Sequence, residues 1–111
     1  MKTQGLLSEL ELLILLTILH LGDEAYGVPI SRELAKQRGH AVSLAGVYST
    51  LDRLELAGLV ASSLGEATPE RGGRAKRYFR VTRGGLRAVH NTRRVLTQLW
   101  SNIPALNKEP A

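Results

Sequence analysis

The stretch that decides the fold reads SLAGVYSTLDRLELAGLV and runs from residue 43 to residue 60. Serine, here Ser43, is favoured at helix N-caps, and glycine, here Gly58, is favoured just after helix ends. A helix is therefore predicted over residues 44–57. Four apolar side chains recur at helical spacing and predict its buried face: Leu44, Val47, Leu51 and Leu54. The opposite face carries small and polar residues.

Beyond Gly58 the spacing of apolar residues changes from that of a helix to that of strands. Residues 59–64 are predicted to form one strand and residues 76–81 another, the second of which contains Tyr78, Phe79 and Val81. Residues 65–75 between them hold a proline and a glycine pair but no large apolar residue. They therefore predict the loop of a β-hairpin.

Two further helices are predicted before residue 43. Ser8 and Glu11 have the spacing of a capping box and predict a first helix that ends at Gly22. A second helix is predicted over residues 28–38, joined to the third by a short link. The first helix is apolar on nearly all sides, which one small domain can scarcely cover, so we expect a second subunit to cover part of it. The candidates for that contact are Leu7, Leu12, Leu15, Leu16 and Leu19.

A last helix is predicted from the cap residue Thr82 to about residue 102. Its apolar residues recur at steps of three and four and so form an apolar seam along one side of the helix, which is interrupted at Arg93. This seam predicts pairing with the first helix of a partner subunit. Packing against its own domain is the alternative. The predicted contact residues are Leu86, Val89, Leu96, Leu99, Trp100 and Ile103.

Three helices followed by a hairpin and a long helix predict a winged helix-turn-helix, a mainly α structure with a small β-hairpin (α+β). We expect residues 1–81 to form the DNA-binding domain. Residues 82–111 are expected to form a C-terminal dimerisation helix with a short tail.

The charge distribution points to a polyanionic partner. The chain has a net charge of +5, and residues 69–94 hold nine basic residues against one acidic residue. The remainder is mildly acidic. Such a localised cationic strip is typical of nucleic-acid binding, with a merely solvated basic surface as the alternative.

Several classes of function find no support in the sequence. There is no cysteine, so disulfides and thiolate metal sites are excluded, which fits a cytoplasmic location. His20, His40 and His90 lie on separate elements without carboxylates at ligand spacing, and no catalytic arrangement is present. The apolar run over residues 12–19 is too short to span a bilayer. We therefore expect no enzyme activity, cofactor, metal site or membrane association.

Four stretches in a fixed order carry a resemblance to a known family. They are residues 6–15 (LLSELELLIL), 22–27 (GDEAYG) with Ile30, 47–54 (VYSTLDRL) followed by 58–60 (GLV), and 72–79 (GGRAKRYF) closing on 81–85 (VTRGG). The chain resembles the PadR family of transcriptional regulators over residues 6–86. The resemblance implies a DNA-binding repressor that forms a homodimer through its C-terminal part and responds to a small molecule. Only one helix follows the wing, as in a shorter subclass, which puts a dedicated effector domain in doubt.

The third helix is the predicted recognition helix for double-stranded DNA. Its small residues allow close approach to base edges and thymine methyl groups, and its larger polar residues can contact phosphates. Three of these residues also have a structural interpretation. Tyr48 is alternatively a packing residue, and Ser43 is alternatively only a helix cap. Arg53 is alternatively a partner of nearby acidic residues or simply solvated. The candidates are Ser43, Ala45, Gly46, Tyr48, Ser49, Thr50 and Arg53.

The hairpin is expected to supply most of the affinity, through phosphates or a narrow minor groove. The wing candidates are Arg71, Gly73, Arg74, Lys76 and Arg77. Trp100 is a candidate for lining an effector pocket between subunits. Two other functions stay open: a winged-helix module that assembles with an acidic protein, and a non-specific architectural DNA binder.

Overall fold

The computed structural model describes residues 5–67 and 75–107, which form four α-helices and a two-stranded antiparallel hairpin. This is the predicted winged helix-turn-helix, mainly α with a small hairpin. In chain order the elements are α1 (Glu9–Leu21), α2 (Gly27–Arg38), α3 (Leu44–Leu56), β1 (Val60–Ala67), β2 (Ala75–Val81) and α4 (Arg83–Ser101). Single 3-10 turns follow α1 at Gly22–Glu24 and α4 at Pro104–Leu106.

The predicted helix starts are confirmed because each predicted cap makes its hydrogen bond. Ser8 Oγ accepts from the Glu11 N–H at 3.2 Å, and the Glu11 carboxylate accepts in return from the Ser8 N–H at 2.8 Å. Ser43 caps α3 and Thr82 caps α4 by accepting from the N–H three residues later. Gly58 adopts the left-handed φ of 79° that lets the chain turn from α3 into β1.

The core lies where the first three helices meet the hairpin. Val47, Leu51 and Leu54 of α3 are buried as predicted. Leu44 is a correction, since it is 42 % exposed in the first turn of α3. Leu15 is a second correction: it is fully buried in this protomer's own core, so a partner subunit has no access to it. The core residues are Ile14, Leu15, Ile18, Ala25, Ile30, Leu34, Val47, Leu51, Leu54, Val60 and Phe79.

The second strand of the hairpin is bonded to the segment between α1 and α2. The Phe79 N–H donates to the Ala25 carbonyl at 2.8 Å, and Tyr26 pairs with Tyr78 as an isolated bridge. The β1–β2 register pairs Val60 with Val81 and continues outward to a bulge before Ala67. β1 is thus longer than predicted. Because side chains alternate along β2, Phe79 faces the helices and Tyr78 faces the opposite side.

The start of α4 is fixed on the turn between α3 and β1. The Leu59 carbonyl accepts from the Thr82 N–H at 3.0 Å, and the Gly58 carbonyl accepts from the Thr82 hydroxyl at 2.7 Å. Farther along α4, Thr92 is 2 % exposed and its Oγ1 accepts from the Leu7 N–H at 3.2 Å. The first half of α4 therefore has a single orientation on the domain.

Gly85→Ala tests this orientation. A Cβ at residue 85 would overlap the Leu59 carbonyl oxygen and lie 2.6 Å from Val81 Cγ1, and a backbone carbonyl cannot give way cheaply. We expect the free energy of unfolding to fall by about 1–3 kcal/mol in urea denaturation, as for other overpacked sites. The matched control is Gly84→Ala, whose Cβ would lie 3.4 Å from the Gly58 carbonyl oxygen. Its effect is expected to be neutral or stabilising by up to about 1 kcal/mol. Equal stabilities of the two variants would contradict a fixed start of α4.

Gly27→Ala tests the packing of α2 against α3. Gly27 is buried at the first position of α2, and a Cβ there would overlap the phenol oxygen of Tyr48. We expect this change alone to destabilise the protein by about 1–3 kcal/mol. With Tyr48→Ala already present the space is vacant, so the same change should cost less than about 0.5 kcal/mol. A double-mutant cycle in urea measures this coupling, and additive effects would show that the phenol does not rest on Gly27.

Candidate nucleic-acid interface

The outer face of α3 exposes several small side chains, together with the larger Arg53 and Leu56 farther along the helix. Ala45 and Ser49 are exposed, and Gly46 is partly exposed. Ser43 is exposed as well, with its Oγ accepting from the Gly46 N–H at 3.1 Å. A hydroxyl can accept this bond and still donate to another group. The first turns of α3 therefore allow an approaching surface to come close to the helix backbone.

Tyr48 and Thr50 do not share this open face. Tyr48 is partly buried, and its phenol lies against Gly27 at the N-terminus of α2. Among the described residues, no side chain caps that helix end. Thr50 is 2 % exposed, so its prediction as a phosphate donor is wrong: the side chain faces the core between Val47 and Leu51. Its hydroxyl oxygen accepts instead from Arg53 Nη2 at 3.5 Å, while Arg53 itself is exposed.

An aromatic cluster supports the outer side of the hairpin. The rings of Tyr26 and Tyr78 meet edge to face with centroids 5.3 Å apart, and Lys76 Nζ lies 4.5 Å from the Tyr26 centroid. The Tyr78 ring packs against Gly65. A Cβ added at residue 65 would lie only 2.7 Å from Tyr78 Cε1. Lys76 is thus held over a ring at the base of the wing. The other wing candidates, Arg71, Gly73 and Arg74, lie outside the described residues.

Arg77 lies on the inner side of β2 and is engaged within the protein. Its Nη2 donates to Glu55 Oε1 at 2.6 Å and its Nη1 to Asp52 Oδ1 at 3.3 Å. Its Nε donates to Ser62 Oγ at 3.3 Å. The Ser62 hydroxyl donates in turn to Glu55 Oε2 at 2.8 Å. Two side chains of α3, one of β1 and one of β2 therefore form one hydrogen-bonded cluster, called here the Arg77 cluster.

The charges of this cluster stabilise one another. The hydrogen bond from Ser62 and then that from Arg77 hold the pKa of the Glu55 carboxyl below its usual value. The sequence did not predict this pairing, because the acidic residues of α3 were considered only as partners of Arg53 on the same helix. Their actual partner lies 25 and 22 residues along the chain. One available signal was that Arg77 precedes Phe79 by two residues and so shares the inward side of the strand.

Much of the apolar surface of α1 and α4 is exposed in the protomer. Leu16 and Leu19 of α1 are nearly half exposed, and Leu99 and Trp100 are both 58 % exposed. Leu12 is partly buried, while Leu7 and Val89 pack against the core. Trp100 and Leu96 also line an open pocket near Asn107. The exposed apolar residues of α4 and its C-terminal end are Leu86, Leu96, Leu99, Trp100 and Ile103.

Two other kinds of feature are absent from the described part of the chain. None of the helices that the structure describes combines the length and the apolar composition that a membrane span requires. Residues 5–67 and 75–107 contain no group of three or more potential ligands of the His, Cys, Asp or Glu type that could hold a metal ion.

Comparison with known proteins places this architecture in a family. The family model described as "Transcriptional regulator PadR-like family" matches residues 15–91. Transcriptional regulator Rv3488 of Mycobacterium tuberculosis is 36 % identical over 81 residues, which cover 73 % of this chain and 71 % of that protein.

Solved structures show the same fold. A PadR-like transcriptional regulator from Bacillus cereus is 24 % identical, with a TM-score of 0.70 over 91 % of this chain and 93 % of that one. A PadR family transcriptional regulator from Eggerthella lenta is 26 % identical, with a TM-score of 0.66 over 88 % of this chain and 83 % of that one. With the sequence match extending from α1 into α4, the chain belongs to the PadR-like family of transcriptional regulators.

Proposed function

We propose that the chain is a homodimeric, sequence-specific DNA-binding repressor, with α3 in the major groove and the wing on the adjacent backbone or minor groove. The observation that carries this proposal is the position of β2, the described basic strand of the wing, relative to α3. β2 carries three of the nine basic residues in residues 69–94, pairs with β1 and is bonded to α3 through Arg77. The exposed residues Ser43, Ala45 and Ser49 at the start of α3 have small side chains. A duplex that approaches this face would also meet the wing.

The proposed contacts divide into two kinds. Ser43, Ala45, Gly46 and Ser49 would face base edges, where small side chains permit close approach and contact with a thymine methyl. Arg53 and the wing cations would contact phosphates, which contribute affinity and register but no sequence choice. Part of the sequence choice would then come from DNA shape.

Tyr48 is the proposed link between the two helices of the helix-turn-helix at the DNA backbone. Its phenol lies beside the N-terminus of α2, where the first N–H groups have no side-chain cap among the described residues. Helix N-termini favour anions. A phosphate there would accept from the α2 backbone and from the phenol together.

The proposed dimer contact is the exposed apolar surface of α1 and α4. Several large apolar side chains exposed on two helices are typical of an interaction site. A second copy is the occupant we propose, because the α4 residues recur at the spacing of a helix-pairing seam. Residues 1–81 would then bind DNA and residues 82–111 would pair the subunits. The pocket beside Trp100 is the proposed site for a small-molecule effector.

Repression is the form of regulation that the family resemblance implies. Steric exclusion of other proteins from the same DNA requires only tight binding. An activator would need a further contact with the transcription machinery, and no observation on the described surface favours one.

Selection of bound sequences from a random DNA pool, followed by footprinting, tests the proposal. We expect an inverted repeat with half-sites about one helical turn, ~34 Å, apart, since a two-fold dimer reads two-fold DNA. Protection without such symmetry would contradict the homodimer. Equal affinity for all sequences would favour an architectural role, and no preference for DNA at moderate salt would favour protein assembly.

The double variant Arg74→Ala with Lys76→Ala tests the role of the wing. Removal of each phosphate-binding cation should flatten the slope of log affinity against log salt by roughly 0.9. Fluorescence anisotropy at several salt concentrations should therefore show weaker binding to operator and random DNA alike. A change in the preferred sequence would instead assign base readout to the wing.

Leu99→Asp tests the dimer surface. Leu99 is 58 % exposed in the protomer, so the change should leave the fold intact while placing a charge in the proposed interface. Sedimentation analysis is expected to show monomers at concentrations where the wild-type chain is dimeric. The control is Gln98→Asp, a change at the neighbouring exposed position outside the apolar seam. Unchanged dimerisation of Leu99→Asp would contradict pairing through this face.

A further inference from the structure

The guanidinium of Arg77 uses all three of its nitrogens inside the protein. Its two terminal nitrogens donate to Glu55 and Asp52, and Nε donates to Ser62. Its central carbon also lies 4.8 Å from the ring centroid of the buried Phe79. Both Glu55 oxygens are occupied, one by Arg77 and the other by the Ser62 hydroxyl. Arg77 therefore belongs to a hydrogen-bonded network rather than to a single surface ion pair.

The electrostatics of the Arg77 cluster oppose a contact between Arg77 and DNA. One cation is set against two carboxylates, so the cluster as a whole is negative near a surface that would face a polyanion. If Arg77 turned to a phosphate, Glu55 would lose its shortest hydrogen bond and both carboxylates would lie uncompensated beside the DNA. That rearrangement would break several charge-assisted bonds to form one.

We propose that Arg77 is a positioning residue, which fixes the angle between the wing and the recognition helix and makes no contact with DNA. This proposal rests on the proposed function and changes the role of Arg77, which was a candidate for a contact with DNA. Asp52 and Glu55 lie in the second half of α3, whereas Ser62 and Arg77 lie on the two strands of the wing. The Arg77 cluster thus joins α3 to both strands outside the hydrophobic core. It would set how far the wing stands from the major groove when α3 is docked.

The double variant Glu55→Gln with Arg77→Gln separates positioning from phosphate contact. It removes one charge of each sign, so the net charge of the cluster stays the same. We expect affinity for the selected operator to fall roughly tenfold, the order of effect of removing a coupled pair, with no change in the salt slope. Affinity for random DNA should fall less, because non-specific binding does not require a fixed angle between wing and helix.

Arg77→Lys gives an independent answer, because it preserves the charge but not the planar fork. A lysine at this position cannot reach Asp52, Glu55 and Ser62 together, so operator affinity should fall as in the double variant. The matched control is Lys76→Gln on the opposite side of β2, which should weaken all sequences alike and flatten the salt slope by up to roughly 0.9. Circular dichroism and thermal unfolding would verify that each variant is folded.

Two results would overturn the positioning role. One is a salt slope flattened in the double variant by the amount expected for about one phosphate. The other is wild-type operator affinity in folded Arg77→Lys. Failure of the wild-type chain to select any DNA would contradict the proposed function itself, a separate outcome measured before any variant is made.

Discussion

The Leu59 carbonyl is the point on which the arrangement of the whole chain depends. It accepts the Thr82 N–H at 3.0 Å, and the first turn of α4 packs so closely on it that only glycine fits at residue 85. The Leu59 N–H in turn donates to the Leu54 carbonyl at the end of α3. The end of α3, the start of β1 and the start of α4 therefore meet within a few residues. Since interiors are close-packed, a shift of α4 at this point would also disturb the end of α3.

The sequence predicted those parts of the fold that local chemistry determines. Ser8, Ser43 and Thr82 cap helices because their hydroxyls satisfy N–H groups within three residues, which needs no knowledge of the tertiary structure. The change of period after Gly58 predicted the hairpin for the same reason. The family followed from the order and spacing of these local signals.

The predictions that failed concern which arc of a helix is buried. The buried arc of α3 is Val47, Thr50, Leu51 and Leu54, which has the ideal spacing of three, four and seven residues. Choosing apolar residues alone put Leu44 in that arc and left Thr50 out. Leu15 was placed at the subunit contact because α1 is apolar all round, so its sequence contains no contrast between the two sides. Arg77 shows a further limit, since its partners are determined by how β2 crosses α3.

The distribution of burial along α4 has a consequence for how the protein responds to its own abundance. In this helix the last buried residue is Thr92, and none of the nine residues from Arg93 to Ser101 is buried in the protomer. In the homodimer that we propose, the partner alone would bury that half, so its order would depend on association. Below the dimer dissociation constant, operator occupancy would then rise with the square of the protein concentration. A modest change in expression would thus produce a larger change in the regulation of the target gene.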